Sequence, residues 1–213
     1  MDQKLNSKVN SKKIWLINLI GSPCAPSSFN PDNSLAALAG SLKEAGYGPL
    51  ILDYQTVSFC ESLVPKAMAQ EFSFWIKKAR SSTLSKEDFG ALNEFDSRVT
   101  AYQFRILDEL VVSLCQKAQK ENPLFIGFKL YSGEGSLFSR YVAKQLKVRL
   151  NIPTVAGGPL VRVAGRKYME LCDGFDYLLD GEADRSIVEF ANYIAGREKI
   201  SNVHGLIYKD KQS

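Results

Sequence analysis

Two short apolar runs, each ending in a glycine-containing turn and each followed by an amphipathic stretch, constrain the fold of this chain more than any other feature. They are Thr154-Val155-Ala156, leading into Gly157-Gly158-Pro159, and Tyr177-Leu178-Leu179, leading into Asp180-Gly181-Glu182. Runs of this kind read as strands buried on both faces of a parallel sheet, and open α/β sheets bind ligands at the carboxyl ends of such strands. The pattern points to a bound cofactor.

The same rhythm extends towards the N-terminus. Ile14 to Ile20 is a near-continuous apolar run, a helix fits Leu35 to Ala45 with Gly46 as its terminating glycine, and Pro49 to Tyr54 reads as a second strand. From Thr56 to Asn122 the alternation stops. One helix is expected around Pro65 to Arg80 and a longer one after Ser85, where Ser85 and Asp88 have capping-box spacing and Leu92, Phe95, Val99, Tyr102, Ile106, Leu110 and Leu114 recur three or four apart. Pro123 to Leu130 restarts the rhythm as a third strand, followed by a helix over Leu137 to Arg149. Helices are further expected near Arg166 to Cys172 and over Ser186 to Ala195, with Gly205 to Tyr208 as a short edge strand or half of a hairpin.

These elements predict an α/β fold: a flavodoxin-like, doubly wound parallel sheet of five strands in the order 2-1-3-4-5, with a helical insertion (56–122) after strand two. A flexible N-terminal tail is expected over 1–13 and a single Rossmann-like domain over 14–213. The loop Gly21 to Asn33, with three prolines, and the turns after strands three, four and five then gather at the switch-point crevice.

Composition narrows the function classes. Among 213 residues, 27 Lys and Arg nearly balance 23 Asp and Glu, and much of the excess lies in terminal lysines such as Lys4, Lys8 and Lys211, so nucleic acid is not an expected partner. No stretch is apolar for long enough to span a bilayer, which leaves membrane out as well, and a cytoplasmic location is expected. Cys24, Cys60, Cys115 and Cys172 are widely spaced and His204 is the one histidine, a set that suggests neither a zinc site nor a disulfide framework.

Candidate binding residues follow from the strand ends. Gly157 and Gly158 let a flat or phosphorylated ligand approach the backbone, and Pro159 stiffens the exit; equally, Gly-Gly-Pro is an ordinary tight turn. Gly181 and Glu182 open the last helix, where a carboxylate is stabilised by the helix dipole with or without a ligand. Ser132 and Gly133 belong to a small polar loop, and Lys129, ending a buried strand, reaches the crevice mouth or meets an anion. No G-x-G-x-x-G or Walker A pattern is present, which disfavours NAD and ATP sites, and neither a Ser-His-Asp set nor a catalytic carboxylate pair can be assembled. No catalytic residue is assigned, and His204 is expected to lie far from the crevice.

An ordered set of motifs carries a family resemblance. Leu16-Ile17-Asn18, Leu38-Ala39-Gly40-Ser41-Leu42-Lys43-Glu44-Ala45-Gly46-Tyr47, Ile51-Leu52-Asp53, Gly127-Phe128-Lys129, Gly157-Gly158-Pro159-Leu160, Asp176 to Asp184 and Gly205-Leu206-Ile207-Tyr208 follow one another in that order. Together they resemble the N-terminal cobalamin (B12)-binding-type domain of B12-binding radical SAM proteins, over about Ile14 to Tyr208. The departures are Lys129 for the family's serine, Leu160 for a histidine, Ala183-Asp184 for Gly-Glu, and the lack of an Asp-x-His-x-x-Gly loop after strand one.

The resemblance implies a domain that positions cobalamin, with its cobalt not ligated by a protein histidine, for methyl transfer or another radical step. Asn18, Lys129, Ser132, Gly133, Gly157, Gly158, Pro159, Gly181 and Glu182 are the residues expected around it, and no metal ligand is assigned. The [4Fe-4S] cluster and S-adenosylmethionine would belong to a C-terminal radical SAM barrel, in cis or in trans, because the four cysteines here cannot form the required C-x-x-x-C-x-x-C run. A cofactor-free flavodoxin-like interaction module with a degenerate crevice is the alternative.

Overall fold

Near-continuous apolar runs become the strands of one mixed sheet. The computed structural model describes residues 12–20, 33–81, 84–171 and 173–209. Residues 1–11 of the expected tail, residues 21–32 of the loop expected over Gly21 to Asn33, Cys24 and Cys172 lie outside them. In chain order the strands are β1 (Lys13–Asn18), β2 (Gly48–Asp53), β3 (Ile126–Lys129), β4 (Thr154–Gly157), β5 (Tyr177–Leu179) and β6 (Leu206–Tyr208). Their order across the sheet is β2-β1-β3-β4-β5-β6.

The expected order of the first five strands is therefore present, all parallel, but the sheet has six strands rather than five. The sixth, β6, lies antiparallel to β5. It comes from the segment read as either an edge strand or half of a hairpin, and α7 (Ala183–Ile194) separates it from β5, so it is an edge strand and no tight hairpin.

Helices cover both faces. α4 (Lys86–Glu121), α5 (Glu134–Arg149) and α6 (Pro159–Leu171) pack on one side, where Trp15, Ile17, Leu107, Val111, Phe138, Val142 and Met169 share a core. α1 (Asn33–Glu44) and α7 pack on the other, around Ile14, Leu16, Leu42, Phe125 and Phe190. Alternate residues of β1 thus feed opposite cores, as a strand covered on both faces requires. Trp15 is fully buried, and its Nε1 donates to Glu121 Oε2 at 3.0 Å, which satisfies the one polar atom of an otherwise apolar side chain.

Between β2 and β3 the chain is helical, though divided differently from the expectation. A short helix α2 (Val57–Ser62), capped by Thr56, precedes a 3-10 turn at Lys66–Met68, and α3 (Ala69–Arg80) begins only after it. α4 starts at Ser85 with the expected reciprocal bonds to Asp88. Phe104 of α4 packs on Phe138 and Tyr141 of α5, and the Tyr141 hydroxyl donates to Asp108 one turn further along α4, so the two helices run side by side in the same direction, with Glu134 level with about Thr100. The earlier turns of α4 consequently run on beyond the carboxyl edge of the sheet by about 20 Å, at 1.5 Å per residue. Trp75 of α3 with Phe95 and Val99 of α4 hold this extension together in a small core of their own.

Among the described residues, no helix is long and apolar enough to cross a membrane.

Candidate functional site

The strand register sets Asp53, Asn18, Lys129, Gly157 and Leu179 side by side, one from each parallel strand, in a single row at the carboxyl edge. Asn18 follows Ile17, and Lys129 follows Phe128, and both of those apolar side chains enter the α4/α5/α6 core. Alternation then turns the row towards α1 and α7. On the other face, Leu19 and Leu130 lie just past their strands yet are buried in that core with Leu63. The apolar interior closes the edge on that side, and the polar row faces the other.

Asn18 is only 1% exposed. Its Nδ2 donates to Asp53 Oδ1 at 3.0 Å and to Gln55 Oε1 at 2.8 Å, while Asp53 Oδ1 also accepts from the Gln55 backbone N–H at 2.9 Å. Both amide hydrogens of Asn18 are therefore engaged within the protein, tying the ends of β1 and β2 together. Gln55 was not singled out from the sequence.

Lys129 reaches across the switch point between β1 and β3. Its Nζ donates to Ser34 Oγ in the first turn of α1 at 2.8 Å and lies 4.5 Å from the centre of the Tyr131 ring. Ser34 is 95 positions away in sequence, and no local pattern could have announced it.

Gly157 and Gly158 have distinct roles. The Gly157 carbonyl accepts from the Leu130 N–H at 2.8 Å. Gly158 has φ +123°, and a Cβ there would stand 2.7 Å from the Leu130 carbonyl oxygen. The need for glycine at 158 comes from the neighbouring loop, which the sequence could not distinguish from the approach of a ligand. Pro159 does not stiffen a loop exit: it is the first residue of α6, where its missing N–H leaves no bond unmade. The helix expected near Arg166 to Cys172 thus begins earlier, and non-helical Gly165, with φ 46°, kinks it.

Gly133 and Gly181 stand differently. They precede α5 and α7 with φ +86° and +91°, and among the described residues a Cβ on either would meet nothing within 4 Å. Their backbone is open to a close approach from outside. Ser132 and Glu182 are exposed beside them, and Glu182 is the N-cap residue of α7 without a side-chain capping bond. All nine expected residues accordingly lie at the carboxyl edge: Asn18, Lys129 and Gly157 in the row, Ser132, Gly133, Gly158, Gly181 and Glu182 in the turns that leave it, and Pro159 opening α6.

His204 lies on the segment entering β6, three strands from β3 and so well away from the β1/β3 switch point, as expected. The next residue, Gly205, accepts a backbone bond from Asp180 at 2.8 Å, and the imidazole Nδ1 lies 2.8 Å from Glu189 Oε2. Among the described residues no three His, Cys, Asp or Glu side chains gather as a metal site would need. A hollow of about 290 Å³ occurs at the opposite edge, lined by Lys12, Asn122 to Leu124 and Asn151 to Pro153.

No protein-family model matches the sequence, and neither does any curated protein. Solved structures do match. The radical S-adenosylmethionine methyltransferase TsrM from Kitasatospora setae, with cobalamin and a [4Fe-4S] cluster bound, is similar with a TM-score of 0.58 at 15% identity, over 95% of this chain and 28% of TsrM. The cobalamin-dependent S-adenosylmethionine radical enzyme OxsB, with aqua-cobalamin and S-adenosylmethionine bound, gives 0.56 at 14% identity, over 94% of this chain and 21% of OxsB. The chain has the fold of one region of these enzymes. It spans 21% to 29% of the length of the structures it resembles, and at this identity the likeness is one of fold.

Proposed function

We propose that the chain is a cobalamin-binding-type domain that seats a corrinoid on the carboxyl edge of its sheet and orients it for chemistry carried by a radical SAM partner domain. The observation that carries this reading is the convergence of the turns after β3, β4 and β5 on one edge, with the backbone open at Gly133 and Gly181. The fold neighbours that bind cobalamin add support.

The residues present suit such a guest. Gly133 and Gly181 would admit the flat ring system close to the main chain, Ser132 and Glu182 would offer polar contacts at its rim, and Lys129 would face it from the centre of the row. A bound corrinoid would supply a cobalt centre able to carry a methyl group. Leu160 stands where the family resemblance has a histidine, so this chain offers no imidazole at that position. The work of the domain is orientation, with the reacting centre completed by the partner.

A cofactor-free interaction module is the second reading, favoured by the engagement of Asn18 with Asp53 and Gln55 and by the span of Lys129 across the switch point. One experiment separates the two. Protein mixed with hydroxocobalamin and passed through gel filtration is expected to elute with a stoichiometric corrinoid spectrum; elution without colour would favour the module.

A further inference from the structure

We infer that the part of α4 running on past the carboxyl edge is a side wall of the ligand seat, where Asn93 and Asp96 hydrogen-bond to the amide groups at the rim of a bound corrinoid. The inference rests on the corrinoid reading above and adds to it two residues that lie outside the strand-end turns.

α4 is one helix of 36 residues. Its C-terminal end is tied to β1 by the Trp15–Glu121 bond and its middle is flanked by α5, so its extension rises beside the β1/β3 switch point, where open α/β sheets receive ligands. Five turns of an α-helix take 18 residues, so side chains 18 apart project in the same direction. Phe89, Asn93 and Asp96 stand five turns before Leu107, Val111 and Leu114, which are buried in the core with Trp15 and Ile17. The face that is core in the lower half of α4 is therefore the face turned over the sheet edge in the upper half. All three residues on it are exposed, Phe89 by 53%. α3 leaves them open because it packs on Phe95 and Val99, about a quarter-turn round the helix.

Below this face the edge is closed by Leu19, Leu63 and Leu130, so polar contacts for a guest on the α4 side come from the extension. With Thr100 at the level where α5 begins, Asp96 stands about 6 Å out, Asn93 about 10 Å and Phe89 about 16 Å. A flat guest resting on the edge is in contact at about 4 Å on each face, which sets Asp96 level with its rim and Asn93 level with groups that rise above the ring. The corrin rim carries primary amides. Their N–H groups donate to a carboxylate such as Asp96, and an asparagine amide can both donate to them and accept from them. Among the described residues neither side chain enters a hydrogen bond or an ion pair; the bond from Ser97 Oγ goes to the Asn93 backbone carbonyl.

The test measures the affinity of the whole chain and its variants for hydroxocobalamin and for cobinamide by absorbance titration. Both probes carry the rim amides, and cobinamide lacks the nucleotide tail. Asp96→Ala is expected to weaken binding by about tenfold and Asn93→Ala by about threefold, the range of a charge-assisted and of a neutral hydrogen bond. Each loss should be the same for the two corrinoids. Glu94→Ala removes an equal charge from the opposite face of the same turn and is expected to bind as wild type does. The three positions are exposed, so melting temperatures should stay at the wild-type value. Wild-type affinity in either Asp96→Ala or Asn93→Ala, an equal loss in Glu94→Ala, or a loss confined to hydroxocobalamin overturns the inference and leaves the corrinoid reading standing. Failure of the wild type to bind either corrinoid overturns the reading itself, and the inference with it.

Discussion

Gly205 and Asp180 are interlocked through their backbones. The Asp180 N–H donates to the Gly205 carbonyl at 2.8 Å, and a Cβ placed on Gly205, whose φ is +66°, would collide with the Asp180 carbonyl oxygen. This contact fastens the segment entering β6 to the turn that carries Gly181. Gly205→Ala is therefore expected to destabilise the fold by about 2 kcal/mol or more, combining backbone strain with a clash. Urea unfolding measures the loss, and amide exchange at Asp180 should accelerate beyond the global change.

The glycines of the candidate site separate by the same logic. Gly158→Ala forces a methyl against the Leu130 carbonyl and is expected to cost about 2 to 3 kcal/mol. Gly181→Ala meets no neighbour among the described residues and carries the positive-φ penalty, about 1 kcal/mol. On the corrinoid reading their effects on hydroxocobalamin binding reverse, with Gly181→Ala losing more affinity than Gly158→Ala in those molecules that remain folded. Thermal melts and absorbance titrations on the same preparations check both halves.

Much of the fold is legible in the sequence. Strands buried on two faces leave near-continuous apolar runs, so Ile14 to Ile20 and Tyr177 to Leu179 announce themselves; Pro49 to Tyr54 carries such a run although β2 is a half-buried edge strand, and the α4 start at Ser85 is equally legible. β6 is ambiguous because its three residues are all half-buried and show no alternation. The start of α6 escapes a sequence reading because proline at a helix N-terminus and proline in a turn look alike. Within the site, the positions at strand ends are readable from local pattern, whereas the links Lys129 to Ser34 and Asn18 to Gln55 join distant segments and depend on which strands become neighbours.

The buried Asn18 gives a stability prediction independent of any ligand. Asn18→Leu removes the donor to Asp53 and Gln55 and leaves their oxygens facing an apolar group, at an expected loss of about 1 to 3 kcal/mol. A double-mutant cycle with Asp53→Ala should give a coupling of about 1 kcal/mol.

Alkaline stability should depend on Tyr141. Burial, together with its hydrogen bond to Asp108, pushes this phenol up to about 12, against an ordinary value of 10.0. The unfolded chain ionises first, so the contribution is complete below about pH 10 and is lost as pH rises from there through about 12. Tyr141→Phe is expected to flatten that limb of the stability profile, measured by denaturant unfolding across alkaline pH. Tyr177, raised by burial and by the Tyr193 hydroxyl, supplies a parallel contribution that the substitution leaves in place.

The most direct test of the account is hydrogen–deuterium exchange of the chain with and without hydroxocobalamin. Protection is predicted in the turns over 130–134, 157–160 and 180–184, all at the carboxyl edge. Protection confined to Lys12, Asn122 to Leu124 and Asn151 to Pro153 at the opposite edge, or no change anywhere, would contradict it.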